Sequence, residues 1–474
     1  MNLQSPLLNR SAWYKTGWLR IVLAVIALVF LNGIFQYVAL RFGYTRYFLG
    51  FELLAAVVVF ALGYRWSGLL LFFVGLVLEI VLGLTGLFHF MNIREALDMA
   101  EFALLARPED IFGFVVSFVL VVGCFWVAGT LLSGVRSSRM ALIGGVFVVG
   151  LTYGQWSVSE ERGDFFTPVL ASQDALLFGS ASFLLKNTLD LNRVKQAVDG
   201  NPDVEYHKIQ HPSAADGVMW GGAPDSRRIL FVISEAWGLP RDPNILEKQI
   251  LSLRNSVHVQ DLELKSVYAR GATAAGELRE LCGLIPSRMN FGKMSSELVG
   301  ECLPKKLKAL GYRTVAVHGA DSGMYRRSRW YPVLGFEKMF FKNDMPASES
   351  NCYSFPGYCD RNIFPVVRDQ LKNEQVFVYW LTLNTHVPYD RRDISHYRDD
   401  LCSEFSRENT NEMLCNYQNL HAQFFDGLAH LIKDDALRGV EVVVVGDHAP
   451  IFLDGETRER FERERVPVLH FTVK

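Results

Sequence analysis

Between about residues 19 and 156 the chain strings together five long apolar stretches, at about 19–40, 47–64, 67–91, 110–133 and 139–156. Each approaches the roughly 20 residues that span a bilayer, although the second and fifth are short. The first is too long for a signal-peptide core and no small-x-small site follows it, so it reads as retained. Arg10, Lys15, Arg20, Arg65, Arg136 and Arg139 fall on the N-terminal side of these spans. Arg41, Arg46, Arg94 and Arg107 fall on the other, a bias that favours a cytoplasmic N-terminus. An odd number of spans then exports everything after residue 156. Glu79 lies inside the third span, where an ionisable group is costly and turns inward. It either meets a lipid headgroup or closes an interhelical hydrogen bond, whereas Glu52 reads as interfacial.

Cysteine usage agrees with export. Cys124 sits in an apolar run, whereas Cys282, Cys302, Cys352, Cys359, Cys402 and Cys415 all fall in the later half. Six cysteines at locally pairable separations point to disulfides in an oxidising compartment. The simplest pairing is Cys282–Cys302, Cys352–Cys359 and Cys402–Cys415, among fifteen that the sequence permits. A metal–thiolate site is the alternative, and the lack of any Cys-x-x-Cys pair counts against it. A formal net charge of −2 and the absence of a basic block exclude a nucleic-acid partner.

Three regions follow: a transmembrane domain at 1–156, interfacial or linker helices at 157–227, and a catalytic domain at 228–474. Residues 178–197 read as an amphipathic helix. From Arg228 onward, short apolar runs at 229–234, 314–317, 376–383, 440–445 and 466–471 alternate with helical patterns at about 276–282, 303–310, 361–372 and 411–433. Such alternation predicts an α/β layered domain with a largely parallel sheet covered on both faces.

Ligands of such sheets bind at the carboxyl ends of the strands, and polar residues gather there. ILFVIS delivers Glu235, TVAV delivers His318 and Asp321, FVYWLTL delivers His386, and VEVVVV delivers Asp447 and His448. Glu235, Asp447 and His448 offer two oxygens and a nitrogen to a divalent cation, a donor set suited to zinc or manganese. Thr273 lies in the small-residue run Gly271-Ala-Thr-Ala-Ala-Gly276, ahead of an amphipathic segment. A helix starting just after it would aim free N–H groups and a positive dipole end at whatever the hydroxyl attacks, which suits a phosphate or sulfate. The plain alternative is a helix-capping threonine. With Thr273 as fourth ligand, a metal would lower the hydroxyl's pKa and polarise a phosphoryl oxygen. His318 and His386 are placed to hold the phosphate or protonate a leaving group, and Arg326, Arg327 and Arg329 suit substrate oxygens. Glu277 and Glu280 read as helix surface or dipole partners, and Cys282 as a tether from the same helix to Cys302.

Glu235 after a strand, Thr273 before a helix and Gly446-Asp447-His448 after a late strand resemble the sulfatase-like branch of the alkaline phosphatase superfamily. The layout of a five-helix transmembrane domain with an exported catalytic domain looks like the membrane-anchored lipoteichoic acid synthases and phosphoglycerol transferases, related to the phosphoethanolamine transferases. His318-Gly319 with Met324-Tyr325-Arg326-Arg327 is similar to the phosphoglycerol enzymes' His-Gly…Phe-Trp-Asn-Arg segment. Thr385-His386-Val387-Pro388-Tyr389 is similar to their Thr-x-His-x-Pro-Phe segment. The resemblance implies an alkaline-phosphatase-like α/β fold in which Glu235, Thr273, Asp447 and His448 hold a divalent metal, zinc or manganese, with Thr273 the nucleophile. It also implies that His318, Tyr325, Arg327 and His386 contact a phosphoglycerol-like group.

Departures bear on the cargo. Ser234-Glu235-Ala236-Trp237 stands where the phosphoethanolamine enzymes carry Gly-Glu-Thr-Ala, and Tyr325 replaces a family tryptophan. Ala275 and Glu277 occupy the Pro and Arg places of the sulfatase motif. The six late cysteines are more typical of the phosphoethanolamine enzymes of a Gram-negative periplasm. The expected activity is a metal-dependent transferase in a bacterial inner membrane, its catalytic domain periplasmic. It moves a phospho-alcohol, phosphoglycerol being favoured, from a phospholipid donor through a phospho-threonine to a glycan or lipid-linked acceptor. The alternatives are a phosphoethanolamine transferase and a phosphodiesterase or sulfatase-like hydrolase using the same residues. The presence of all four ligands disfavours a non-catalytic scaffold, and a transporter reading rests only on Glu79 and the spans.

Overall fold

The computed structural model describes residues 47–87, 176–179, 206–218, 226–286, 299–345, 352–402, 412–452 and 455–474, together with isolated positions elsewhere. These divide between two compact units, one holding residues 47–87 and 176–179 and the other holding residues 206–474. The expected spans at 19–40, 110–133 and 139–156 lie largely outside the described residues, as does most of the 178–197 helix. Of that helix, Phe178 and Gly179 belong instead to a strand.

In the first unit, β1 (Tyr47–Gly50) pairs in parallel with β2 (Leu176–Gly179). It leads into α1 (Phe51–Ala61), and a turn at Gly63, whose φ is +92°, connects to α2 (Arg65–Leu87). The second expected span is therefore a strand followed by an 11-residue helix, about 16 Å long, which is shorter than the roughly 30 Å hydrocarbon core. Among the described residues, α2 alone is long and apolar enough to cross a membrane. Gly68 and Gly75, two turns apart on α2, let α1 approach closely. A Cβ at Gly68 would lie 2.7 Å from the Phe60 ring, and one at Gly75 would lie 3.3 Å from Leu53 Cδ2. Small residues at a membrane helix interface serve this purpose, since packing rather than water exclusion drives association there. Glu79 is buried, and the Glu79 and Glu52 carboxylates both flank Gly50.

The second unit begins with β3 (Tyr206–Lys208) and α3 (Ala214–Val218). Its centre is a seven-stranded sheet of order β5-β11-β10-β4-β9-β7-β8. These strands are β4 (Arg228–Ser234), β5 (Val259–Tyr268), β7 (Arg313–His318), β8 (Lys338–Phe340), β9 (Val376–Leu381), β10 (Glu441–Gly446) and β11 (Arg465–Val473). β10, β4, β9, β7 and β8 run parallel, while β11 is antiparallel to β10 and to β5. β4, β9 and β10 are buried along almost their whole length, as continuous apolar strands between two helical layers must be. β5 escaped the sequence reading because its apolar residues alternate with Gln260, Glu263 and Lys265, the mark of a half-exposed strand.

The two faces of the sheet are covered differently. Leu230, Val232, Val378, Trp380, Val442 and Val444 meet α4 (Pro243–Gln249), α5 (Leu251–Arg254), α9 (Asp360–Leu371) and α10 (Glu412–Leu431) in the main core. The alternate positions carry Phe231, Phe377 and Tyr379, which contact one another or Phe336 and Tyr331 through their rings. Tyr379 also reaches α6 (Thr273–Cys282) by a hydrogen bond. β6 (Leu284–Pro286) follows α6 and pairs with β3, and α7 (Leu303–Ala309) and α8 (Arg327–Leu334) complete the elements near it. The short α11 (Gly455–Glu459) precedes β11.

Cys282 and Cys302 form a disulfide between the end of α6 and the start of α7, as expected. Cys352, Cys359, Cys402 and Cys415 stand as buried thiols in this structure. The members of each expected pair are nonetheless neighbours, and the sulfurs find other partners: Cys359 Sγ donates to Asp393 at 3.8 Å and Cys402 Sγ meets the Tyr397 hydroxyl at 3.4 Å. Closing a loop of 20 residues removes about 3 kcal/mol of unfolded-state entropy at 25 °C. A Cys282→Ser/Cys302→Ser variant should therefore lose about 3 kcal/mol of stability, read as a lowered urea midpoint with a steeper slope, because the unfolded chain is released to expand.

Candidate active site

The adjacent strands β10, β4, β9 and β7 carry the Asp447–His448 turn, Glu235, the 382–386 loop and His318 at their carboxyl ends. Glu235 is held through its own backbone: its N–H donates to Thr382 Oγ1 at 2.9 Å and its carbonyl accepts from the Thr385 hydroxyl. Ala236, next along, adopts φ +54°, a conformation costly for a residue with a Cβ and one that gathers at functional sites. The turn aims the Ala236 N–H at Asp447 Oδ1, 2.8 Å away, which also accepts from His448 N–H at 2.8 Å.

α6 delivers Thr273 as its first residue, with Ala272 at the cap, so the threonine is not the capping group. Its hydroxyl instead donates to Glu235 Oε2 at 3.1 Å. Gly276 permits the approach, since a Cβ there would lie 2.8 Å from that of Asp447. His448 Nε2 stands 3.6 Å from Glu235 Oε1 and 3.4 Å from Asp447 Oδ2. His448 Nδ1 is 2.9 Å from the Ala449 carbonyl; a carbonyl only accepts, so Nδ1 carries a proton and Nε2 is the ring nitrogen on the side of the two acids. Ligand atoms of Glu235, Asp447 and His448 lie within 4.8 Å of one another, and all three residues are buried.

The electrostatics of this cluster fit a cation. Burial first, and the charge of Asp447 second, push the Glu235 carboxyl well above the usual carboxylate range. Asp447 Oδ2 is buried and accepts no hydrogen bond, a costly state for an acidic oxygen without a counter-charge. Two carboxylates and an imidazole nitrogen gathered this closely make a donor set for a divalent ion. Cys352, Cys359 and Asp393 also gather ligand atoms within 4.8 Å. There, however, the N–H groups of Tyr353 and Ser354 already bind the two Asp393 oxygens, at 2.8 and 2.7 Å.

Around the cluster, His318 is buried with Nδ1 3.0 Å from the Leu381 carbonyl. Burial, then the charge of Arg327, hold its pKa well below the usual value, so it is a neutral ring whose Nε2 accepts. Tyr325 and Arg326 adopt φ +52° and +54° in succession, and the Tyr325 ring lies over the Arg327 guanidinium at 4.9 Å. Arg327 is buried, whereas Arg326 is half-buried and Arg329 exposed. His386 is half-buried, its ring 4.6 Å from that of Phe355.

Glu277 and Glu280 are fully buried, contrary to the expectation of a helix surface. Glu277 accepts from Arg327, Tyr331 and Tyr379. Glu280 Oε1 pairs with Arg279 Nε at 2.6 Å, and its Oε2 accepts from Ala214 N–H at 2.7 Å. Arg279 Nη2 donates to the carbonyls of Gly446 and Asp447, at 3.3 and 3.0 Å. Sequence reasoning missed these groups because charge on an amphipathic segment ordinarily means solvent. The available signal was Gly276, since a glycine inside a helix hints at close packing.

The sulfatase family's sequence profile matches residues 227–469, and the chain belongs to that family. No protein of curated function matches the sequence. Among solved structures, the lipoteichoic acid synthase LtaP from Listeria monocytogenes is 17% identical, with a TM-score of 0.38 over 51% of this chain and 64% of that one. The chain thus spans less than two thirds of LtaP. The zinc complex of the C-terminal periplasmic domain of EptC from Escherichia coli is 15% identical, with a TM-score of 0.36 over 56% and 76%. The Streptococcus pyogenes phosphoglycerol transferase GacH, in complex with sn-glycerol-1-phosphate, is 14% identical, with a TM-score of 0.33 over 59% and 73%. The domain is an alkaline-phosphatase-like α/β enzyme fold.

The loop carrying His386 rests on Asp360, whose carboxylate accepts from Leu383 N–H at 2.9 Å and Asn384 N–H at 2.8 Å. Burial pushes this carboxyl up to about 7 despite those donors. Between the unfolded value near 3.9 and about 7, the folded chain keeps a proton that the unfolded chain has lost. Stability from this group therefore falls with rising pH across that window, by about 1.4 kcal/mol per unit, and is flat above it. Asp360→Asn should lack that slope. Its stability relative to wild type should improve from about pH 5 to about pH 7 and then level off, whereas parallel urea-derived curves would exclude the assignment.

Proposed function

We propose that the chain is a metal-dependent membrane transferase that moves a phospho-alcohol, phosphoglycerol being favoured, from a phospholipid to a cell-envelope glycan or lipid-linked acceptor. The observation that carries this reading is a threonine hydroxyl, at a helix start, hydrogen-bonded into a buried Glu–Asp–His cluster with an unsatisfied Asp447 oxygen. Glu235, Thr273, Asp447 and His448 would hold the ion, zinc or manganese. When bound, such an ion lowers the pKa of a hydroxyl and polarises a phosphoryl oxygen.

Thr273 Oγ1, oriented by its hydrogen bond to Glu235, attacks phosphorus while its proton passes to solvent water. The bond from phosphorus to the diacylglycerol oxygen breaks, and we assign the proton for that leaving oxygen to His386 at the loop edge. N–H groups at the start of α6 face the reacting centre and favour its negative charge. In the second half, an acceptor hydroxyl attacks the phospho-threonine and Thr273 leaves, restoring the free hydroxyl. Neutral His318 accepts a hydrogen bond from a hydroxyl of the cargo or acceptor, and Tyr325 and Arg327 hold the phospho-alcohol. Residues 1–156 would form a multi-pass anchor in a bacterial inner membrane, 157–227 a connection, and 228–474 the periplasmic catalytic domain, in reach of the phospholipid donor.

Thr273→Ala should lower turnover more than about 10³-fold while the protein stays folded; retained turnover would remove the nucleophile assignment. Peptide mass spectrometry of wild-type protein given phospholipid should find a phospho-alcohol on the peptide containing Thr273. Its mass separates glycerol from ethanolamine. Release of free phospho-alcohol into water without any acceptor requirement would mark a phosphodiesterase instead.

A further inference from the structure

One helical turn after Thr273, α6 buries Glu277 completely. Its carboxylate receives four donors: Arg327 Nε at 3.0 Å and Nη2 at 2.8 Å on Oε2, and the hydroxyls of Tyr379, at 2.9 Å, and Tyr331 on Oε1. Four donors fill the acceptor capacity of a carboxylate, so it has no lone pair left for substrate. Arg327 is held as firmly. Two of its nitrogens are committed to Glu277, the Tyr325 ring covers one face, and Nη1 makes only a 3.5 Å contact with the Met324 carbonyl. Through Glu277, one turn beyond Thr273, Arg327 is tied to the same helix that carries the nucleophile.

We propose that Glu277 is a positioning residue that locks the Arg327 guanidinium for the donor phosphate, so that the helix bearing the nucleophile also sets where the phosphate oxygens sit. The inference rests on the reading that Arg327 contacts the phospho-alcohol. The pair is close to neutral, so Arg327 contributes directed N–H donors more than net charge. Donors fixed in advance stabilise developing charge without reorganising during the reaction, which is where such groups gain their effect. Lysine could not replace arginine here, because one ammonium cannot span both Glu277 and an oxyanion with fixed geometry. Glutamine at 277 would turn an amide donor toward groups that are themselves donors, and would release the guanidinium.

The test is a double-mutant cycle on the full-length protein, with phosphatidylglycerol and phosphatidylethanolamine in mixed micelles as donors and Thr273 adduct formation as the readout. Glu277→Gln should lower kcat/KM for the donor by about 30-fold and Arg327→Met by about 100-fold. The double variant should fall by about 100-fold rather than about 3,000-fold, because the two act as one unit. Metal content, measured by elemental analysis, should stay at the wild-type level in all three. Multiplying losses, or an inert Glu277→Gln beside an impaired Arg327→Met, would overturn the inference while leaving the proposed function standing. An inert Arg327→Met would overturn the substrate role of Arg327 and the inference with it. A wild type that forms no Thr273 adduct from either lipid would overturn the proposed function itself. If Glu277→Gln fails to fold, Tyr379→Phe removes one donor without stranding a charge. It should lower kcat/KM about 3-fold in the wild-type background and have no effect in Arg327→Met; an equal effect in both would overturn the link.

Discussion

Three ionised side chains on one buried helix organise the catalytic domain. Every residue of α6 is buried, yet it carries Glu277, Arg279 and Glu280. Charges taken out of water are tolerated only when paired and fully hydrogen-bonded, and removing one partner costs about 3–5 kcal/mol. Each here is committed to a different neighbour. Glu277 grips Arg327, Arg279 holds the carbonyls of the Gly446–Asp447 turn, and Glu280 receives the N–H of Ala214, ahead of the sheet. Displacing α6 would strand several charges at once. That rigidity is what a nucleophile needs when its partners arrive from strands far apart in the chain.

The Glu235–Asp447–His448 cluster is the opposite case, a place where charge is left uncompensated. Its acids crowd one another, Glu235 is driven toward its neutral form, and Asp447 Oδ2 lacks a donor. Arg327, whose charge acts on Glu235, is already occupied with Glu277. Saturated pairing under the helix and unsaturated acid above it are complementary: the first fixes the frame, and the second leaves coordination free for an ion. The strained Ala236 belongs to the same design, since its left-handed backbone turns an N–H toward Asp447. Thr382 and Thr385 brace Glu235 from β9, so the ligand set depends on three adjacent strands keeping register.

In the unit holding residues 47–87 and 176–179 the governing constraint is different. α1 and α2 meet at Gly68 and Gly75, and Glu79 turns inward beside Gly50. Hydropathy registered apolar length but not the left-handed Gly63 or the strand at Tyr47–Gly50, so one expected span became a strand and a short helix. Pairing of that strand with residues 176–179 is a long-range event that no local window contains.

Where composition changes and where polar residues follow apolar runs are local properties, and they sufficed for the α/β class, for β4, β7, β9, β10 and β11, and for reading Glu235, His318 and Asp447–His448 at strand ends. A strand buried on both faces must be continuously apolar, and what ends it must lie at the sheet's edge, so both are written along the chain. Long-range contact decided the rest. Whether Glu277 and Glu280 face water, whether Arg327 is free or gripped, and whether Cys352 bonds to Cys359 or leans on Asp393 depend on what packs against each side chain. A glutamate on a helix reads the same in sequence whether solvent or an arginine fifty residues away receives it, and only the folded chain distinguishes the two.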